Sequence, residues 1–146
     1  ALYLHAPSVA DKSMAPEGCS AYYALAVVPN LGKLNIDWSI EKERYKEVIY
    51  QQLEERCIPN LREDLVVEKI FTPIDFEKEL NSYQGAAFSM EPLLIQSAYF
   101  RIHNSDQKIK GLYFTGAGTH PGAGVPGVVN SAKATARIMI DNLNNG

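Results

Sequence analysis

The chain has 146 residues, of which 46% are apolar, 21% charged and 10% aromatic. That is enough apolar material for a folded core, and the formal charge of −3 gives no electrostatic reason to bind nucleic acid. The longest apolar run, Ala21 to Val28, is too short to cross a bilayer, and Cys19 and Cys57 lack zinc-site spacing, reading instead as reduced thiols of a cytoplasmic protein with no metal.

The opening Ala1-Leu2-Tyr3-Leu4-His5 is strand-like from the outset and has no initiator methionine, so it reads as an excerpt of something longer. Leu2–Ala6 is predicted as a strand, followed by a turn-rich loop from Pro7 to Cys19. Ala21–Val28, closed by Pro29-Asn30 and Gly32, reads as a buried strand. A helix follows, capped by Ser39 and stopped by Pro59, with Tyr45, Val48, Ile49, Leu53 and Cys57 facing inward. Its charged residues, Lys42, Lys46, Glu54, Glu55 and Arg56 among them, read as a solvated face.

Leu65–Phe71 is rich in β-branched residues and is predicted as a strand. Thr72-Pro73-Ile74-Asp75 then opens a short helix, with Thr72 at the N-cap, Pro73 at the first helical position and Asp75 as the acidic partner. It runs out near Asn81 and Gly85. Between Gly85 and Ser105 lies an apolar segment without a clean period, containing Phe88, Met90, Pro92, Leu93, Leu94, Ile95, Tyr99 and Phe100. It reads as core, with an apolar ligand cavity as the alternative. His103-Asn104-Ser105-Asp106 closes it as a polar turn.

The last forty residues carry the chemistry. Gly111–Gly116 is predicted as a strand, a loop with Gly116, Gly118, Gly122, Gly124 and Gly127 follows, and a helix runs from Val128 to Leu143. Val128, Ala132, Ala136, Ile140 and Leu143 are expected on its packed side. A helix N-terminus offers unpaired N–H groups and positive potential, and glycines before it admit a bulky ligand to the backbone. Gly122-Ala-Gly124-Val-Pro-Gly127 matches GxGxxG, yet fails as a primary dinucleotide fingerprint. Gly122 stands six positions after the strand's end at Gly116, and no second strand with its acidic residue follows. Spacing alone leaves a purely structural glycine turn equally open.

The string Leu112-Tyr-Phe-Thr-Gly-Ala-Gly-Thr-His-Pro-Gly-Ala-Gly-Val-Pro-Gly127, continuing through Ser131-Ala-Lys-Ala-Thr-Ala136, resembles the C-terminal FAD signature of the bacterial-type carotenoid desaturases. Leu2-Tyr-Leu-His-Ala-Pro-Ser8, Ile70-Phe-Thr-Pro-Ile-Asp-Phe76 and Gln84-Gly-Ala-Ala-Phe-Ser-Met-Glu-Pro92 resemble the same family, so the similarity covers nearly the whole chain.

The resemblance implies a mixed α/β piece of an FAD-dependent oxidoreductase that desaturates a linear, phytoene-like polyene. Residues 1–110 would belong to the substrate-binding domain with its mixed sheet. Residues 111–146 would supply the last strand, loop and helix of a Rossmann-like FAD-binding domain, whose N-terminal fingerprint lies outside this sequence. Gly116, Ala117 and Gly118 are then expected beside the FAD pyrophosphate and ribityl chain, with Val125, Pro126, Gly127 and Val128 near the isoalloxazine N1/O2 edge. Related amine oxidases carry an acidic residue where Ala117 stands. No catalytic residue is assigned: the flavin takes the hydride, and His120 reads as a structural hydrogen-bonding group.

Cofactor binding would need the N-terminal part, so the excerpt alone is expected to be inactive. The apolar substrate implies a cytoplasmic enzyme peripheral to the membrane surface, and exposed edges of the excerpt offer a route to self-association. The alternatives on these residues are a polyene isomerase or another oxidase on the same fold, and a binding module without cofactor.

Overall fold

A computed structural model describes residues 1–91 and 93–144. Pro92 of the apolar segment, and Asn145 and Gly146 at the chain's end, lie outside the described residues. The chain divides into two compact units, Ala1–Ile74 and Asp75–Gly146. Helices and one small sheet make it a mixed α and β structure.

In the first unit, β1 (Leu2–His5) pairs antiparallel with β2 (Tyr23–Ala26), with Leu2 opposite Ala26 and His5 opposite Tyr23. Between them lie the short helix α1 (Pro7–Ala10) and a 3-10 turn at Lys12–Met14. Ser8 ties this connection to the ribbon: its hydroxyl accepts the Ala21 N–H at 3.0 Å. The ribbon is not buried as Ala21–Val28 had suggested. Tyr3, Tyr23 and Val27 are exposed, because a two-stranded ribbon covers neither of its faces by itself.

The long helix α2 (Trp38–Arg56) starts one residue before the expected Ser39 cap. Asp37 is the N-cap, and its carboxylate accepts from both the Ser39 backbone N–H and the Ser39 hydroxyl. Cys57 and Ile58 both donate their N–H to the Leu53 carbonyl and close the helix ahead of Pro59. Trp38 and Leu53 of this helix are buried, whereas Tyr45, Val48 and Cys57 are exposed.

The Ser39 hydroxyl and N–H hold the Asp37 carboxyl below its ordinary value. A folded value below the unfolded one means that the stability Asp37 lends α2 is complete above the unfolded value and lost as pH falls through the folded one. Amide protection at Ser39 and Ile40 should therefore hold down to about pH 4 and fall on further acidification. Asp37→Ala should remove that pH dependence, and a dependence that survives the substitution would dismiss Asp37 as its source.

The charged face of α2 is solvated and laced with ion pairs. Arg62 reaches Glu47 and Glu54, and Lys46 reaches Glu43 and Glu68. Leu65–Phe71 forms no strand. A β-branched run makes a ladder only against a partner strand, and here Glu68 bonds Lys46 and Tyr50 of α2 while Val66 and Val67 are exposed. Glu68 faces Tyr50, whose phenol is pushed up to about 12 by burial and by donating to that carboxylate.

The helix α3 (Pro73–Leu80) begins at the last two residues of the first unit, with Pro73 at its first position and Asp75 in its first turn. Asn81 ends it in the left-handed region, and the Ser82 N–H returns to the Phe76 carbonyl. The apolar stretch after Gly85 forms 3-10 turns at Tyr83–Gly85, Leu94–Gln96 and Ala98–Phe100 rather than a core. Phe88, Leu94, Ile95, Tyr99 and Phe100 are exposed. Aperiodic apolar side chains on short turns cannot all face inward, so the core reading fails here.

Gly111–Gly116 is not a strand either. Tyr113 makes a lone antiparallel bridge with Ser105, and Thr119 a parallel one with Ile102. The reason is visible at Phe114: its N–H goes to the Asn104 carbonyl, and its own carbonyl accepts from Thr135. A lone backbone bond and a side-chain hydroxyl thus take the groups that a ladder would use. The last helix, α4 (Val125–Asn144), begins three residues earlier than expected, inside the glycine motif.

Candidate functional site

The site residues of the glycine loop are held by a buried polar cluster. Ser131 and Thr135, one helical turn apart on α4, are its fully and nearly fully buried residues, and Asn104 and Thr119 complete it. The Ser131 hydroxyl accepts the Gly116 N–H at 3.1 Å and lies 2.7 Å from the Thr119 hydroxyl. The face of α4 turned inward is therefore Ser131 and Thr135. The expected stripe of Val128, Ala132, Ala136, Ile140 and Leu143 is exposed. Short hydroxyl side chains let the Phe114–Thr119 segment approach closely and satisfy its backbone, which a Val or Ile could not do.

That cluster determines which backbone groups of the loop remain available. Gly116 uses its N–H on Ser131, and its carbonyl accepts from the N–H and hydroxyl of Thr119. The Ala117 carbonyl accepts from the Arg101 guanidinium at 2.8 Å. Among the described residues, the N–H groups of Ala117 and Gly118 have no partner. At the start of α4 the Val128 N–H already bonds the Gly124 carbonyl at 2.9 Å. Pro126 has no N–H, which leaves those of Val125 and Gly127 as the unpaired donors of the first turn.

The glycines differ in purpose. Gly116 has φ +119 with open space where a Cβ would stand, so its side is accessible. A Cβ on Gly118 would lie 2.8 Å from the Ser89 hydroxyl. On Gly127 it would lie 2.5 Å from the Gly122 carbonyl oxygen, a contact within the chain itself. Gly127 thus brings the first turn of α4 against the loop that precedes it.

A cavity of about 400 Å³ opens between Tyr99, His103, Asn104, Gln107, His120 and Ile138. The His120 and His103 rings are 5.1 Å apart, and the His120 Nε2 is buried without a partner among the described residues. What His120 contributes structurally comes from its backbone, whose N–H bonds the Ile102 carbonyl. Among the described residues no group of three or more His, Cys, Asp or Glu could hold a metal, and no helix is long and apolar enough to cross a membrane.

Sequence reasoning missed Asn104, taken for part of a polar turn. The available signal was the Ser131/Thr135 pair, two hydroxyls one helical turn apart on α4.

Residues 24–140 match the family described as flavin containing amine oxidoreductase. The chain is 56% identical, over 97% of its length, to the lycopene-forming phytoene desaturase of Pantoea ananas, covering 29% of that protein. It is 58% identical to the lycopene-forming phytoene desaturase of a Paracoccus species, over 97% of this chain and 28% of the other. It is 45% identical to the 4,4'-diapophytoene desaturase of Staphylococcus haemolyticus, over 99% of this chain and 30% of the other. The chain therefore spans less than a third of the length of these relatives.

Proposed function

The chain belongs to the flavin-containing amine oxidoreductase family, and from that premise we propose that it is the C-terminal part of a bacterial-type phytoene desaturase. The whole enzyme uses FAD to desaturate a linear polyene, works at the membrane surface, and is inactive when reduced to this piece. Residues 1–110 belong to its substrate domain and residues 111–146 to its Rossmann-like flavin domain.

The observation that carries this reading is the set of unpaired N–H groups on the glycine turn and the first turn of α4. Gly116, Ala117, Gly118, Val125, Pro126, Gly127 and Val128 hold the cofactor, with different parts to play. Ala117 and Gly118 donate toward the pyrophosphate and ribityl chain, while Gly116 admits them by lacking a side chain. Val125 and Gly127 donate toward the pyrimidine edge of the ring, where the positive end of α4 stabilises negative charge. Pro126 and Val128 supply shape, since neither has a free N–H. FAD, when bound, supplies the hydride acceptor. The protein positions the polyene and keeps water away.

Visible spectroscopy tests the reading. The chain alone should purify colourless, and the protein extended to its relatives' length should be yellow and convert phytoene to longer-conjugated products. A colourless extended protein sinks the flavin reading. A yellow one that only isomerises phytoene replaces the desaturase with an isomerase.

A further inference from the structure

Resting on that flavin reading, we propose that Asn104 is a positioning residue of the cofactor site: it locks the Phe114–His120 turn onto α4 and so sets the direction of the Ala117 and Gly118 N–H groups. The residue is 6% exposed, and its amide nitrogen lies 3.1 Å from the His120 carbonyl, the Ser131 hydroxyl and the Thr135 hydroxyl. The Phe114 carbonyl is 3.3 Å away and the Thr119 hydroxyl 3.4 Å. Two of these five neighbours are carbonyls, which can only accept, so the NH2 group and not the oxygen must face them.

The backbone of Asn104 adds to this, because its carbonyl accepts the Phe114 N–H at 2.9 Å. One residue therefore holds Phe114 through its backbone carbonyl, while its two amide hydrogens are shared among the His120 carbonyl and the buried hydroxyls of α4. From there the restraint passes to the turn's apex: Ser131 takes the Gly116 N–H, and Thr119 donates to the Gly116 carbonyl at 3.0 Å. With both groups of Gly116 fixed, the next two peptide planes have little freedom, and theirs are the N–H groups left unpaired.

A merely stabilising residue at this place has no need to be polar. An apolar cluster of similar volume would bury as well without the cost of desolvating an amide and three hydroxyls. What a fully connected polar cluster adds is a single geometry. It sits directly beneath the turn whose free donors face the proposed ligand.

The test uses the protein extended to its relatives' length, titrated with FAD as apoprotein and followed by flavin fluorescence and the visible band. Asn104→Ala should weaken FAD binding at least tenfold and shift the visible band, at a temperature where the apoprotein remains folded. Saturating FAD should recover most of the turnover, since no reacting atom is touched. A folded Asn104→Ala protein with wild-type affinity and an unshifted band overturns the proposal, whatever its melting temperature does.

If Asn104→Ala does not fold, Thr119 decides. Thr119→Val should weaken FAD binding several-fold, and Thr119→Ser, which keeps the hydroxyl, should restore it to within twofold. Unchanged affinity in Thr119→Val overturns the proposal. A wild-type protein that binds no FAD overturns the flavin reading itself, and Asn104's role with it, whereas a yellow wild type with indifferent variants overturns only the role of Asn104.

Discussion

Gly127→Val is expected to leave the protein, extended to its relatives' length, without flavin, and Gly127→Ala is expected to do the same. Both introduce the Cβ that would lie 2.5 Å from the Gly122 oxygen and 3.1 Å from its carbonyl carbon. A flexible side chain would yield to such a contact, but this is backbone. Either the loop from Gly122 to Gly124 moves or the first turn of α4 does, and each movement displaces the Val125 and Gly127 donors. Relieving an overpacked contact of this kind costs about 1–3 kcal/mol, so the variants should still fold with a lowered melting temperature. Purified protein is read by its absorbance ratio in the flavin and aromatic bands. Wild-type flavin content in Gly127→Ala would show that the loop can give way without disturbing the cofactor, and the close packing of Gly127 would then be incidental.

In the first unit the largest effect should come from Trp38→Ala. Trp38 is the sole tryptophan, 5% exposed at the start of α2, with its ring 6.1 Å from that of Tyr45. Few apolar side chains share its burial there, with Leu53 the other. A truncation that cannot be filled by neighbours should cost about 3–5 kcal/mol. Urea unfolding followed by far-ultraviolet circular dichroism measures it, since the substitution removes the tryptophan signal. Trp38→Phe should lose less, because a phenyl ring keeps part of the contact with Tyr45. A loss below about 1 kcal/mol for Trp38→Ala would mean that α2 is anchored elsewhere.

The helices were legible because their signals are local. A cap, a proline at the first position and a 3.6-residue period belong to the segment itself, and α2, α3 and α4 appear within a few residues of where those signals place them. At α2 the error was one of choosing between two good caps: Asp37 stands two residues before Ser39 and takes the Ser39 N–H itself. Strands were less legible, because a ladder depends on a partner that a local pattern cannot name. Leu65–Phe71 and Gly111–Gly116 have strand composition but join no ladder: Phe114, for one, gives its N–H to the Asn104 carbonyl and its carbonyl to the Thr135 hydroxyl.

Burial was read least well. Leucine, isoleucine and aromatic residues between Phe88 and Phe100 were assigned inward on composition and lie exposed on turns. On α4 the error was inverted, with the hydroxyl pair inside and the aliphatic stripe outside. The glycine loop itself was found from its motif, yet which of its amides stay unpaired depends on Ser131, Thr119 and Arg101. Those partners stand as far as sixteen residues from the groups they hold, and no spacing rule within the motif reveals them.

The anchoring of Gly116 and Ala117 has an entropic consequence. A glycine-rich turn ordinarily samples many conformations, and a ligand that selects one must overcome that freedom. Here the hydroxyls of Ser131 and Thr119 and the guanidinium of Arg101 order the turn when the chain folds. On the proposed flavin reading, an arriving anion would meet a preorganised cradle. The glycines then serve access rather than adaptability, and affinity is not diminished by having to still the loop.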